Sequence, residues 1–129
     1  MAKTIENNGC PVENLCYNHF NDLMAISTSD LSVTILNAKN GLAKVRSFPE
    51  VSQNRITDLC FSKPDSKWLL VASLDKSIRV FDILTNTLID WVQFQRAPLS
   101  IDFALSGEFL ATSHVGEKGI YLWSNKSFF

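Results

Sequence analysis

Few side chains in this chain keep the company that catalysis or metal binding requires. Asp30 and Asp75 are carboxylates of the kind a general acid or base could use, and His114 stands three residues before Glu117, close enough to suggest proton transfer. Cys10, Cys16 and His19 could offer two thiolates and an imidazole to a metal. Their C-x5-C-x2-H spacing, however, matches no common zinc framework, and no second ligand pair follows. His114 and Glu117 have no nucleophile or oxyanion motif beside them. Gly116-Glu117-Lys118-Gly119 lacks the Gly-rich spacing and the Lys-Ser/Thr end of a phosphate loop. Asp30 and Asp75 each fall between two apolar stretches, where Asp bonds local N–H groups and tolerates turn geometry. They read as turn residues, and no enzyme activity, cofactor, metal or small-molecule substrate is expected.

The stretches around those two Asp residues recur. Leu23–Asn37, Leu69–Asp82 and Leu110–Ser124 each run from an apolar strand, through a turn, into a second strand. Leu36, Phe81 and Trp123 hold the equivalent closing position, 45 and 42 residues apart. A period of about 40–45 residues is that of a β-propeller blade, a unit that binds other macromolecules. The expected fold is all-β, with about three four-stranded antiparallel blades forming a partial propeller.

The expected units are a leader or incoming strand over 1–13 and blades over about 14–48, 53–94 and 97–129. In the first blade the strands are Leu15–Tyr17, Leu23–Thr28, Val33–Leu36 and Ala43–Phe48, with Asn40-Gly41 supplying positive φ before the fourth. In the second they are Ile56–Phe61, Trp68–Leu74, Ile78–Phe81 and Leu88–Phe94. In the third they are Ser100–Phe103, Phe109–Ser113 and Gly119–Trp123, with the outer strand incomplete. Trp68–Val71 and Ile78–Phe81 show little polar alternation, as strands covered on both faces should.

Composition bounds the partners. The 129 residues are 46% hydrophobic and carry 12 basic and 13 acidic side chains, well mixed, for a net charge of −1. No Lys/Arg cluster supports a general attraction to nucleic acid, and no window approaches the ~18 apolar residues of a membrane span. The polar N-terminus and three cysteines without a secretory core point to an intracellular, reducing compartment, where Cys16 and Cys60 serve as small core fillers. Asn125-Lys126-Ser127 fits a glycosylation acceptor that an intracellular chain would not use.

Ile56–Asp82, ITDLCFSKPDSKWLLVASLDKSIRVFD, resembles a WD40 repeat almost throughout. The resemblance places the family's Ser-Pro-Asp-Gly turn on Ser62-(Lys63)-Pro64-Asp65-Ser66, its turn Asp on Asp75, its strand Ser on Ser73 and its closing Trp-Asp on Phe81-Asp82. No Gly-His precedes Ile56, and Phe81 has no indole N–H. The family's buried Asp–His–Ser–Trp relay is therefore incomplete here, and apolar packing is expected to carry the blade. Arg55–Phe129, above all Gly107–Val115 and Gly119–Lys126, is similar to a narrower family of tandem-propeller WD-repeat proteins associated with U3 small nucleolar RNA.

That resemblance implies a nucleolar scaffold of the small-subunit processome, acting in 18S rRNA maturation. Its partners would be other WD-repeat proteins of the UtpB subcomplex, with the U3 snoRNP and pre-rRNA engaged indirectly. The alternative is a generic WD40 adaptor in another intracellular complex. Candidate partner-contact residues on loops are Arg96, His114, Glu117 and Lys118. Asp30, Ser73, Asp75, Phe81, Asp82 and Trp123 are expected to be structural. Three blades are fewer than the ~4–8 of a ring, so the chain is expected to be a piece of a larger protein, and in isolation to self-associate.

Overall fold

A strand covered on one face alternates apolar and polar side chains, whereas one covered on both is apolar throughout. The computed structural model, which describes residues 9–39, 41–63 and 65–124, contains both kinds. Its strands are β1 (Val12–Tyr17), β2 (Leu23–Thr28), β3 (Val33–Asn37), β4 (Ala43–Phe48), β5 (Ile56–Phe61), β6 (Trp68–Ser73), β7 (Ser77–Asp82), β8 (Thr87–Gln93), β9 (Pro98–Phe103), β10 (Phe109–His114) and β11 (Ile120–Ser124). They form three antiparallel sheets in chain order: β1-β2-β3-β4, β5-β6-β7-β8 and β9-β10-β11. β1 packs beside β5 and β5 beside β9, so the blades fan out from their first strands. The leader before Gly9, Asn40, Pro64 and the acceptor at Asn125–Ser127 lie outside the described residues.

Register shows why the repeat has its period. Met24, Leu69 and Leu110 face Leu36, Phe81 and Trp123, which makes the three closing residues equivalent. Four residues on, Thr28, Ser73 and His114 pair with Val12, Ile56 and Pro98 at the start of each inner strand. A bulge follows at the same place in every blade, leaving Glu13, Thr57 and Leu99 as the extra residues. In the first blade this bulge lets pairing begin at Val12, earlier than the expected Leu15. β7 gains Ser77 and Asp82 because these pair with Ser73 and Trp68. At the turn before β4, Gly41 and Leu42 take the positive φ values, +65° and +60°.

The central blade divides the core. Leu59, Phe61, Leu69, Val71 and Phe81 face Ala25, Val33, Ile35 and Phe48 of the first blade. Cys60, Leu70, Ala72, Ile78 and Val80 face Ile101, Phe103 and Leu110 of the third. Each closing aromatic packs back on the preceding blade, with ring centroids 4.7 Å apart for Phe81–Phe48 and 5.6 Å for Trp123–Phe94. The far face of the third blade exposes Phe109, Ile120 and Leu122.

Leu70 has no exposed surface and packs in the core between the second and third blades, so Leu70→Ala is expected to cost about 2–5 kcal/mol in urea unfolding. The same change at Leu84, which is 79% exposed, should stay within about 0.5 kcal/mol.

Candidate interaction surface

The turns between second and third strands take up the acidic side chains. Asp30 accepts hydrogen bonds from Thr28 Oγ1 at 2.5 Å, Ser32 Oγ at 2.6 Å and Ser32 N at 3.2 Å. The Ser32 and Thr28 hydroxyls hold its carboxyl below the ordinary carboxylate value. Asp75 collects more. It accepts from Ser77 Oγ, from Arg79 Nη1 at 2.7 Å, from Gln53 N at 3.2 Å and from Ser52 Oγ at 3.3 Å. Burial pushes its carboxyl up, but the Ser77 and Arg79 hydrogen bonds, the Gln53 N–H and the guanidinium charge outweigh burial and hold it below the ordinary value. Asp82 caps the next turn by accepting from Leu84 N at 3.0 Å and Thr85 N at 3.2 Å.

Arg79 explains the size of the Asp75 network. It sits mid-strand with its side chain 9% exposed, paired with Asp75 whose side chain is 8% exposed, and its guanidinium lies over the Trp91 ring at 4.8 Å. A buried guanidinium requires a buried carboxylate and further acceptors. Ser77 Oγ supplies one at 2.8 Å, while Ser52 bonds Ser73, whose hydroxyl also lies 3.1 Å from Asn54 O. Apolar packing carries this blade on both faces, as expected, and a Ser–Asp–Arg network, which was not expected, is added to it.

In the third blade the closing Trp123 heads a different chain. Trp123 Nε1 donates to Thr112 Oγ1 at 3.0 Å, Thr112 Oγ1 lies 2.9 Å from His114 Nε2, and His114 Nδ1 lies 2.9 Å from Arg96 O. One assignment satisfies every group: the threonine hydroxyl accepts from the indole and donates to Nε2, and the Nδ1 proton goes to the carbonyl. His114 is therefore not a loop residue. It ends β10 at 4% exposed, in the register of Ser73 and Thr28, edge-on to Phe94 and Tyr121. Burial removes it from the partner-contact set.

Arg96, Glu117 and Lys118 do lie at the surface. Arg96 Nε pairs with Glu117 Oε1 at 3.3 Å, and the guanidinium crosses Gly116, where a Cβ would meet Nη1 at 2.6 Å. Gly116 has φ +72°, a conformation that favours glycine, and a side chain there would displace the exposed Arg96 guanidinium. Cys10 sits beside Asp30, whereas Cys16 and Cys60 pack in the core. Burial pushes both core thiols up to about 12, which keeps them protonated and unreactive. Among the described residues no three potential ligands are placed to hold a metal.

Sequence reasoning missed the ties between blades. Thr57, the bulged residue of β5, donates to Pro98 O at 2.7 Å, and Asp58 accepts from Ile101 N at 2.8 Å. Burial raises the Asp58 carboxyl against the help of the Ile101 and Leu59 N–H groups. Asn14 Nδ2 donates to Ile56 O at 2.9 Å, Arg46 Nε to Ile83 O at 2.9 Å, and Glu13 pairs with Arg55 at 3.6 Å. The one available signal was position, since Glu13 and Thr57 fall at the same point of the repeat.

Sheets of consecutive antiparallel strands, joined along their first strands and closed by a residue packed on the previous blade, define a WD40-type β-propeller. The family model for the WDR36/Utp21 second beta-propeller domain matches residues 2–129, and the chain belongs to that family. It is 40% identical over 107 residues to WD repeat-containing protein 36 of Homo sapiens, a match covering 83% of this chain and 12% of the relative. It is 36% identical over 121 residues to U3 small nucleolar RNA-associated protein 21 homolog of Schizosaccharomyces pombe, covering 94% and 13%. To U3 small nucleolar RNA-associated protein 21 of Saccharomyces cerevisiae it is 35% identical over 119 residues, covering 92% and 12%. The chain thus spans 12–13% of the length of these relatives.

Asp75→Ala leaves the Arg79 charge buried without its counter-ion, with only Ser77 Oγ and the Trp91 ring beside it, and should cost about 3–5 kcal/mol near neutral pH. Because the folded Asp75 pKa lies below the ordinary 3.8, its contribution is complete above that value and is lost as pH falls through the lowered one. Urea unfolding should therefore give a constant gap between parent and variant above about pH 5, closing in stronger acid. Thr112→Val strands the Trp123 N–H and His114 Nε2 together, and should cost about 1–3 kcal/mol in the same measurement.

Proposed function

We propose that the chain forms part of a non-catalytic propeller scaffold in ribosome biogenesis, within the small-subunit processome, where it supports pre-rRNA processing and 18S rRNA maturation. The observation that carries this reading is the match of nearly the whole chain to the WDR36/Utp21 second propeller, together with relatives named for association with U3 small nucleolar RNA. The geometry supports a scaffold. Of the groups that could have done acid–base chemistry, Asp30 is hydrogen-bonded within its exposed turn, and Asp75 and His114 are hydrogen-bonded inside the blades.

The mechanism is rigid presentation. Partners are other WD-repeat proteins of the UtpB subcomplex, with the U3 snoRNP and pre-rRNA reached through them, in the nucleolus. Arg96, Glu117 and Lys118 offer contacts on one rim, while Ser73, Phe81, Asp82 and Trp123 hold the blades, whose units run over about 14–48, 53–94 and 97–129.

Depletion of the full-length protein that carries this chain, followed by complementation, tests the reading. Loss should lower 18S rRNA and accumulate its unprocessed precursor while large-subunit rRNA is maintained. Complementation with Arg96→Glu and Lys118→Glu together should reduce co-sedimentation with U3 RNA several-fold. Unchanged 18S rRNA after depletion would rule out the reading.

A further inference from the structure

The two joints between blades fill one position in different ways. Two residues after Leu69 and Leu110, Val71 and Thr112 pair with Arg79 and Tyr121, so these side chains hold equivalent places on β7 and β11. At the first joint that place holds a cation of the protein's own. The Arg79 guanidinium lies 4.8 Å from the Trp91 ring, with the Asp75 carboxylate 2.7 Å away. At the second joint Tyr121 stands in place of Arg79. Gly116 stands in place of Asp75, each two residues past the end of a second strand. Neither the internal cation nor its carboxylate is supplied from those positions.

The second joint offers aromatic surface instead. Phe94, His114, Tyr121 and Trp123 follow one another around a circuit with centroids 4.9, 5.1, 6.2 and 5.6 Å apart, inclined at 52–70°. A cavity of about 170 Å³ opens against these rings, and exposed Gln95, Arg96 and Glu117 complete its lining. Tyr121 is 45% exposed. Among the described residues no cation stands over any of the four rings. Arg96, the cation in the lining, is itself exposed and pairs with Glu117 at 3.3 Å. Exposed ion pairs hold their partners weakly and a carboxylate accepts from several donors, so Glu117 can serve a second cation. The polar atoms of the wall are committed: Trp123 Nε1 and both His114 nitrogens belong to the chain that ends on Arg96 O. A primary ammonium would find few acceptors here for its three N–H donors, whereas a fully methylated one keeps the charge and has none to satisfy.

We propose that this cavity binds a quaternary ammonium group, either the trimethylated lysine of a partner protein or a free ion such as choline. The charge would rest against the rings of Tyr121 and Trp123 with Glu117 alongside, the arrangement that Arg79, Trp91 and Asp75 make internally at the first joint. The volume suits a head group and falls below the ~300–1,000 Å³ of sites that enclose drug-sized ligands. An outer strand beside β11 would lie in the plane of the sheet, as β8 does beside β7. With β8 in place the first joint keeps a cavity of about 300 Å³, lined by residues 47–51, Arg79, Phe81, Asn86 and Leu88. The site belongs to the joint itself and does not depend on which assembly the protein serves.

The test is fluorescence anisotropy of a labelled Gly-Ser-Lys-Ser-Gly peptide, its lysine trimethylated, titrated with the full-length protein. Binding is expected, weaker by about tenfold for unmodified lysine and for the neutral isostere in which carbon replaces the quaternary nitrogen. Glu117→Gln and Tyr121→Ala should each weaken the trimethylated peptide several-fold, while Tyr121→Phe, which keeps the ring, should retain it. Competition separates the two sources. Displacement by less choline than unlabelled peptide assigns the site to the free ion, and by more choline to a protein side chain. Absence of binding, equal affinity for the trimethylated peptide and its neutral isostere, or binding unchanged by both Glu117→Gln and Tyr121→Ala would overturn the proposal.

Discussion

A blade with two apolar faces cannot stand alone in water, and the remaining features of this structure follow from that constraint. The central sheet places Leu69 and Val71 on one side and Leu70 and Ala72 on the other, all without exposed surface. Burial of each large aliphatic or aromatic side chain contributes about 1.5–3 kcal/mol, but only if a neighbour supplies the opposing surface. The closing residues supply the registration. Phe81 on Phe48 and Trp123 on Phe94 set each blade against the one before it, at the same height in the sheet. The hydrophobic term is non-directional, and these paired rings, with the inner-strand bulges, give it direction.

Polar groups then solve a second problem, which each blade answers differently. The end of the second strand must be tied to the entry of the first, and this position is Thr28, Ser73 or His114. Thr28 bonds a turn carboxylate, Ser73 reaches the preceding segment through Ser52 and Asn54, and His114 reaches it directly through Arg96 O. What is held constant is the location of a buried hydrogen-bonding group. Its identity varies because a longer side chain at one site can replace a donor missing from another.

This distinction separates what was legible in the chain from what was not. Apolar runs and turn residues determine their own surroundings, so β2, β4 and β5 run between the residues expected of them. Asp30 and Asp75 likewise read as turn residues because a short acidic side chain between paired strands has N–H groups within reach. His114 looked like a loop residue because imidazole carries no burial preference strong enough to place it. Its position was nonetheless in the repeat, four residues after Leu110 as Ser73 is after Leu69. Arg79 was illegible for the opposite reason: residue type says exposed, and only the tertiary fact that Asp75 and Ser77 converge on it makes burial affordable. The ties through Thr57, Asp58 and Arg46 end on backbone atoms of another blade, which no local pattern encodes.

The Arg79 network bears on function through stiffness. A scaffold works by holding surfaces at fixed positions, so disorder in an exposed side chain subtracts directly from what a contact can contribute. Trp91 lies on Arg79, Arg79 is bonded to Asp75, and Asp75 to the segment at Ser52 and Gln53 that links the first two blades. An outer-rim aromatic is thereby connected through a buried ion pair to the joint between blades. Replacing that pair with well-packed apolar groups could match its stability, because desolvation offsets much of the attraction. An apolar replacement would lack the attraction that draws the face of the indole, rather than its edge, onto the guanidinium. The buried charge is thus better explained by the position it imposes on Trp91 than by the stability it adds.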